Sequence, residues 1–183
     1  MPAALIDTTT LITFASIDRL ELLAAVVAGR QPHWTEGVYG EVLQGAHLPV
    51  NQLILAATWL GEPAQSQTSE LAAITRLHIG LNDGRRPPTD HHGEAETIVI
   101  AHRLEATWIT DDGPAAAFAK NNQLAPLRTT ADTGTVLQEA QLERLLASPH
   151  AALAVVTAMV HAGRHPRCGG HMGASITLAD LVP

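Results

Sequence analysis

The residues best suited to carry out chemistry are carboxylates that follow predicted strands or lie in predicted helices. They are Asp7, Glu41, Glu94, Asp111 and Asp112. Like charges gathered in one crevice repel one another and have raised pKa values unless a cation neutralises them. Carboxylate oxygens are hard ligands that suit Mg²⁺ or Mn²⁺. If the fold brings these acids together, the chemistry they offer is a divalent metal site.

Alternating strands and helices position these acids in the predicted fold. Short apolar runs predict strands at 4–7, 32–35, 106–110 and 125–129. Apolar residues at helical spacing predict helices at 11–29, 36–45, 51–59, 69–79, 93–105, 114–124, 131–147 and 150–162, with polar loops at 61–69 and 81–92. This alternation predicts an α/β fold in which helices cover both faces of a parallel sheet. Open sheets of this kind bind ligands at the carboxyl edge, where the helices begin, so we expect the acids to converge there.

Each acid taken alone also has an ordinary structural explanation. Asp7 at a strand end can close a turn through its side chain, and the pair Asp111 and Asp112 can form a turn and a helix cap. Glu94 is favoured near a helix N-terminus by the macrodipole. Glu41 alone has no obvious capping role. The ordered combination, rather than any single acid, therefore carries the interpretation as an active site.

The segment GEAETIVIA at 93–101 carries a second glutamate, Glu96, two positions after Glu94. At about 100° per residue the two side chains lie about 200° apart on a helix, so both cannot face one metal. Glu94 heads the helix and is the candidate ligand. Glu96 shares a face with Arg103 and is predicted to be a structural or solvated charge.

Length and composition exclude several classes of protein. The chain of 183 residues fits one domain with a sizeable core, and Cys168, its single cysteine, cannot form an intrachain disulfide. The first residues lack a signal-peptide pattern, and the longest apolar run, 151–160, is about half of the roughly 20 residues that a membrane span needs. We expect a cytoplasmic protein without a membrane span. The net charge of −7 argues against strong electrostatic binding of nucleic acid.

Three blocks of sequence, in order, resemble the PIN-domain nucleases. They are LIDTTTLI, VYGEV and GEAETIVIAHRLEATWITDD, which start near residues 5, 38 and 93. The resemblance covers about residues 4–147 and is to the toxin-like, VapC-type members that carry a GEAE segment. It implies a three-layer α/β/α sandwich with a central parallel sheet of four to five strands. It also implies that the domain holds one or two divalent metals and cuts single-stranded RNA.

The resemblance assigns roles to particular residues. The catalytic and metal-binding acids it implies are Asp7, Glu41, Glu94 and Asp112, with Asp111 as an auxiliary ligand and with Thr9 and Thr110 in support. In the implied mechanism a metal-activated water hydrolyses the phosphodiester bond, and no protein nucleophile is required. Cations available to contact the substrate backbone are Arg85, Arg86 and Arg128, although charges on loops are more often simply solvated.

The function expected from these features is that of an endoribonuclease dependent on Mg²⁺ or Mn²⁺, the toxin component of a toxin–antitoxin pair. Its expected partners are single-stranded RNA, an antitoxin protein and a second copy of the chain in a homodimer. One alternative is a catalytically silent module that binds RNA or protein. Another is a phosphatase with Asp7 as its nucleophile, which is disfavoured because Thr9 stands where such enzymes have their second aspartate.

The C-terminal segment, 148–183, is predicted to be a helical extension and tail outside the nuclease domain of 1–147. It carries a group of potential zinc ligands, His161, His165, Cys168 and His171. Structural zinc sites usually show paired ligand motifs, which this glycine-rich segment lacks, so a flexible polar tail is the preferred interpretation. Dimerisation, partner binding and no role at all are the alternatives for the segment.

Overall fold

The central element of the fold is a parallel sheet of four strands. A computed structural model of the chain describes residues 2–30, 32–82 and 91–183. The strands are β1 (Ala4–Ile6), β2 (Pro32–His33), β3 (Thr107–Ile109) and β4 (Thr130–Ala131), in the order β2-β1-β3-β4. All three neighbouring pairs are parallel, and Leu5 of β1 lies opposite Trp108 of β3. The predicted parallel sheet is therefore confirmed.

Helices connect the strands and cover the sheet. They are α1 (Thr8–Ala15), α2 (Leu20–Val27), α3 (Glu36–Gln44), α4 (Pro49–Leu55), α5 (Leu71–Leu81), α6 (His92–Leu104), α7 (Gly113–Asn121), α8 (Thr133–Leu142) and α9 (Pro149–His161). Short 3₁₀ helices occupy Thr58–Leu60, Thr68–Glu70, Gly173–Ser175 and Ala179–Leu181. A small antiparallel hairpin pairs β5 (Arg167–Cys168) with β6 (His171–Met172). In the described residues no helix combines the length and apolarity needed to cross a membrane.

Side chains that alternate along the strands divide the core into two layers. Leu5 and Trp108 pack with apolar residues of α5, α6 and α7 on one face of the sheet. Ile6 and Ile109 point to the opposite face and pack with residues of α1, α2, α8 and α9. Both layers are buried, as expected for a parallel sheet covered on two sides. This is the predicted three-layer α/β/α sandwich.

The C-terminal segment is folded onto this core rather than free of it. Cys168, Ile176 and Leu181 are buried in the same layer as α1 and α8. The side-chain amide of Gln141 on α8 donates a hydrogen bond to the carbonyl of Leu181 at 2.8 Å. The expectation of a flexible polar tail is therefore wrong, because the apolar residues spaced among its glycines bury themselves against α8 and α9.

Two predicted elements differ in the structure. The helix predicted over 11–29 is split into α1 and α2, with Asp18 between them at a positive φ of 54°. The strand predicted over 125–129 is a turn, and β4 begins only at residue 130. The side chain of Asn122 organises this turn, because its Oδ1 accepts the amides of Leu124 at 3.1 Å and Ala125 at 2.7 Å. Burial of alternate apolar residues in the turn imitates the pattern of a strand.

Candidate active site

Asp7 is a buried carboxylate at the carboxyl end of β1. Its residue is only 4% exposed, and its Oδ2 accepts hydrogen bonds from the hydroxyls of Thr9 at 2.5 Å and Thr110 at 3.1 Å. Burial raises the pKa of Asp7 above its usual value, while these two hydroxyls oppose the rise and the nearby charge of Asp112 adds to it. The fold therefore holds an acid in fixed orientation where its charge is costly. Although Asp7 stands at the N-cap of α1, its side chain does not cap the helix.

Asp112 lies beside Asp7 through a shared partner, Thr110. The Thr110 hydroxyl donates to Asp7 and accepts the backbone N–H of Asp112 at 3.1 Å. Oδ1 of Asp112 caps α7 by accepting the amide of Ala115 at 2.8 Å. Its Oδ2 has no hydrogen-bond partner among the described residues, so Asp112 can cap the helix and still offer an oxygen to the site.

Glu94 adds a third carboxylate from the first turn of α6. Its Oε2 lies 2.8 Å from Nδ1 of His91, the residue that precedes the helix. Burial raises the pKa of Glu94 to about 7, with further contributions from the charges of Asp7 and Asp112, while His91 opposes the rise. Asp7 and Asp112 follow β1 and β3, and Glu94 lies in the first turn of α6, so the three acids form one cluster at the carboxyl edge of the sheet.

Glu41 reaches the rim of this cluster from α3. Its Oε2 accepts a hydrogen bond from the hydroxyl of Thr8, the residue after Asp7. Burial raises its pKa, the Thr8 hydroxyl opposes the rise, and the charge of Asp7 adds to it. The carboxylate lies directly over Gly93, where any side chain would collide with it. Glu41, for which the sequence offered no capping role, is thus held at the cluster by the Thr8 hydroxyl, and the absence of a side chain at Gly93 leaves room for its carboxylate.

Glu96 lies away from the cluster and serves a different contact. It is buried, and its Oε2 accepts the backbone N–H of Gly37 at 2.6 Å, near the start of α3. As predicted, Glu94 and Glu96 point to different sides of α6. Arg103 does not pair with Glu96, however, since its Nε donates to Glu70 at 2.8 Å.

Asp111 is fully engaged by backbone and hydroxyl donors. Its carboxylate accepts the amide and the hydroxyl of Thr133 at 2.9 and 2.6 Å, and the amide of Arg167 at 3.1 Å. Burial raises its pKa, and these three hydrogen bonds oppose the rise. Asp111 therefore ties the start of α8 and the C-terminal hairpin to the end of β3. Its metal-binding role stays a prediction.

The C-terminal group of potential zinc ligands is not assembled. Cys168 is buried and donates from its Sγ to the carbonyl of Asp180 at 3.0 Å, and His171 lies 3.5 Å from the Asp180 carboxylate. Across residues 2–30, 32–82 and 91–183, no three His, Cys, Asp or Glu side chains are close enough to form a ready-made metal cage. This holds for the acidic cluster too, where the Thr110 hydroxyl links Asp7 to the amide of Asp112 and His91 binds an oxygen of Glu94.

The predicted substrate-binding cations do not adjoin the acids in the described structure. Arg85 and Arg86 lie outside the described residues. Arg128 was expected after the fourth strand, but it precedes β4 and so lies at the amino edge of the sheet, opposite the acidic cluster. Its predicted position is therefore wrong, and the reason is the turn organised by Asn122.

Arg164, a cation that was not predicted from the sequence, does border the cluster. A cavity of about 330 Å³ beside Asp112 is lined by Thr9 and Thr13 of α1 and by Arg164 and His165 after α9. Arg164 is held there by a hydrogen bond from its Nε to Ser16 Oγ at 2.9 Å. The basic run RHPR at 164–167 is the sequence signal that points to Arg164.

A model of the PIN-domain family matches residues 3–166 of the chain. The chain belongs to the PIN-domain family. No curated protein and no solved structure shows significant similarity to it. PIN domains have a nuclease-type fold and typically use divalent metals. All four acids of the cluster lie within the matched residues, and so do α9 and Arg164.

The donors of this PIN domain fit a divalent cation. They are carboxylate oxygens, the hard ligands that Mg²⁺ and Mn²⁺ prefer. Asp7, Glu41 and Glu94 have raised pKa values because burial and mutual repulsion disfavour their charges, and a cation would relieve both. Mg²⁺ commonly uses only one or two carboxylates and keeps several waters, so a preassembled cage is not required. Asp7, and Asp112 through its Oδ2, are the residues that would hold such a cation.

Proposed function

We propose that this PIN domain is an endoribonuclease, dependent on Mg²⁺ or Mn²⁺, that hydrolyses phosphodiester bonds of single-stranded RNA. The observation that carries the proposal is the convergence of four carboxylates from four separate elements at the carboxyl edge of the sheet. The elements are the end of β1, α3, the start of α6 and the end of β3. The raised pKa values of three of them fit a site completed by a cation.

The acidic side chains and the threonines that bind them would have different roles in this reaction. Two threonine hydroxyls hold the Asp7 carboxylate in one orientation, which keeps a metal ligand preorganised. When bound, a divalent ion lowers the pKa of an attacking water and shields the charge of the phosphate. Glu94 and Asp112 lie close enough for their charges to interact, and their carboxylate oxygens would orient the attacking water. No protein nucleophile is needed.

The toxin-like, VapC-type assignment is the finer part of the proposal. It is supported by the GEAE segment, whose first glutamate joins the acidic cluster while its second supports α3. A protein partner, whether an antitoxin or a second copy in a homodimer, is supported by exposed apolar side chains on and next to α3 and α4. They are Tyr39, Leu43, Leu48 and Leu53, each at least 37% exposed. Growth arrest on expression, relieved by a co-expressed small neighbouring reading frame, would test the assignment.

A silent module that binds RNA or protein is the second candidate. One observation favours it: in the described residues the acids do not form a ready-made metal cage. The phosphatase alternative has less support, since Thr9 donates a hydrogen bond to Asp7 and supplies no carboxylic acid there.

Cleavage of single-stranded RNA by the purified protein tests the proposal. We expect cleavage with Mn²⁺, none with EDTA, and none with Asp7→Asn under either condition. Cleavage that survives both chelation and the substitution would contradict a metal mechanism at this site. Absence of cleavage by the wild-type protein with Mn²⁺, together with RNA binding, would favour the silent module.

A further inference from the structure

A groove of about 360 Å³ runs along α7 and opens next to the acidic cluster. Its floor is the face of α7 formed by Gly113, Ala116, Ala117 and Lys120, and Arg167 of the C-terminal hairpin borders it. We propose that this groove binds the phosphate backbone of the RNA strand beside the cleaved bond, with Arg167 and Lys120 as its cations. The inference rests on the proposed function and gives the C-terminal segment a role in it.

Arg167 is fixed beside the site while its charge stays free. Its backbone N–H donates to Asp111, the residue next to Asp112, and its guanidinium lies against Gly113 at the start of α7. Among the described residues the guanidinium has no carboxylate within ion-pair distance and no hydrogen-bond acceptor. A guanidinium presents several parallel N–H donors that match a phosphate. The fold therefore positions a phosphate-binding group without neutralising it.

Arg167 lies at the N-terminus of α7, which the carboxylate of Asp112 already caps. The N-terminus of a helix carries a partial positive charge, which repels a cation and attracts an anion. α7 begins at Gly113, and Arg167 lies against that residue. A phosphate in the groove would therefore be held mainly by the guanidinium, and the helix end would attract it less strongly because Asp112 offsets part of its charge.

Lys120 extends the cationic surface along the helix. It lies seven residues after Gly113, or about 10 Å at 1.5 Å per residue, and it is exposed. It has no ion pair with any described residue. A lysine in the last turn of a helix is also favoured by the macrodipole alone, so Lys120 supports the proposal mainly through its shared groove with Arg167. The small side chains of Ala116 and Ala117 leave room between the two cations for a strand.

The carboxylate in the groove wall, Asp132, already accepts three hydrogen bonds from the protein. Asp132 accepts the amide and hydroxyl of Thr135, both at 2.9 Å, and the amide of Gly169 at 2.7 Å. Its charge is thus partly satisfied within the protein. An acidic peptide would also match Arg167 and Lys120, but Thr110, which binds Asp7, lines the same groove. An RNA strand cut at the acids would continue into this adjoining groove, which favours RNA over an acidic peptide as the ligand.

The test compares Arg167→Gln and Lys120→Gln with Arg19→Gln, which makes the same change of charge at an exposed residue beyond the far end of α1. Binding of a short fluorescein-labelled single-stranded RNA is measured by anisotropy in EDTA at several salt concentrations. Cleavage kinetics are measured with Mn²⁺. We expect each groove variant to bind roughly three- to tenfold more weakly, with a salt slope smaller by about 0.7, and to lose activity through KM rather than kcat. Arg19→Gln should match the wild type.

Lys120 is the only lysine in the chain, which provides a second measurement. RNA should protect Lys120 from acetylation by an amine-reactive reagent, as read by peptide mass spectrometry. Wild-type cleavage combined with groove variants that bind and cleave like the wild type would overturn the groove while leaving the proposed function intact. If the wild-type protein does not cleave, weaker binding by the groove variants still supports the groove, and unchanged binding or no RNA binding at all overturns it.

Discussion

Replacing Glu94 by glutamine should stabilise the metal-free protein at neutral and alkaline pH. The folded structure raises the pKa of Glu94 from 4.5 to about 7, chiefly because the carboxylate is buried and also because Asp7 and Asp112 repel its charge. The unfolded chain releases the proton near its ordinary pKa, whereas the folded protein keeps it to about pH 7. Between those values the folded state binds more protons, so its stability falls as the pH rises.

The size of this effect follows from the two pKa values. The difference between 4.5 and about 7 corresponds to roughly 3 kcal/mol of lost stability above pH 7, and to less than about 1 kcal/mol at pH 5. Solvent screening reduces it little, because the Glu94 side chain is only 17% exposed. Glutamine carries no charge, and its amide can still hydrogen bond to His91. Glu94→Gln should therefore raise the Tm by roughly 5–10 °C at pH 8 and by much less at pH 5.

Thermal unfolding in EDTA at pH 5 and pH 8 tests the prediction. The same measurement with Mn²⁺ tests whether Glu94 contributes to metal binding. A metal that binds the folded state stabilises it by about 2.7 kcal/mol at a hundred times its Kd. The wild type should gain this stability with Mn²⁺, and Glu94→Gln should gain less while losing cleavage. Glu96→Gln is the matched control: it makes the same chemical change on the same helix but weakens the bond to Gly37, so it should lose about 1 kcal/mol.

A variant Glu94→Gln that is no more stable than the wild type at pH 8 would refute the reasoning. So would an equal gain at pH 5 and pH 8, because the effect would then not come from the ionised carboxylate. A stabilised Glu96→Gln with an unchanged Glu94→Gln would mean that the roles of the two glutamates are reversed.

Three further substitutions test the supports of the cluster. Thr110→Val removes the hydroxyl that links Asp7 to the next strand end, and denaturant unfolding should show a loss of about 2–3 kcal/mol because a hydrogen bond to a buried carboxylate disappears. Gly93→Ala should abolish most cleavage by displacing the carboxylate above it, whereas Gly40→Ala, which meets open space on α3, should retain cleavage and gain about 0.5–1 kcal/mol. Asp111→Asn should lose about 2 kcal/mol of stability yet keep its Mn²⁺ affinity in calorimetry, and a large loss of affinity would show that Asp111 is a ligand after all.

The sequence was sufficient for those features that local patterns determine. Asp7 and Asp112 follow strands that alternate with helices, and the chirality and edge rules of parallel sheets bring such residues together. Thr35 caps α3 by accepting the amide of Val38, and Gly45 ends the helix; residue types at single positions favour both features. The placement of Glu94 followed from the same logic, because a helix that leads into a parallel strand runs back across the sheet and so begins at its carboxyl edge.

Features that depend on tertiary packing were not readable in advance. The turn after α7 buries Ala125 and Leu127 on alternate positions, and burial of this kind looks like a strand until the hydrogen bonds of Asn122 are known. Arg167 reaches the site only because Asp111, 56 residues earlier, binds its amide. No periodicity in the sequence relates two such positions, so the contribution of the C-terminal segment required the structure.

The two glutamates of the GEAE segment act on the same site by different routes. Glu94 belongs to the acidic cluster, whereas Glu96 binds the amide of Gly37 and so fixes the first turn of α3 against α6. Gly37 and Glu41 are four residues apart and therefore lie on one face of α3. The contact made by Glu96 thus sets where Glu41 meets the cluster, one turn further along the helix. Under the proposed function, the charge at position 94 serves the chemistry, and the contact of Glu96 with Gly37 fixes the geometry in which Glu41 can join it.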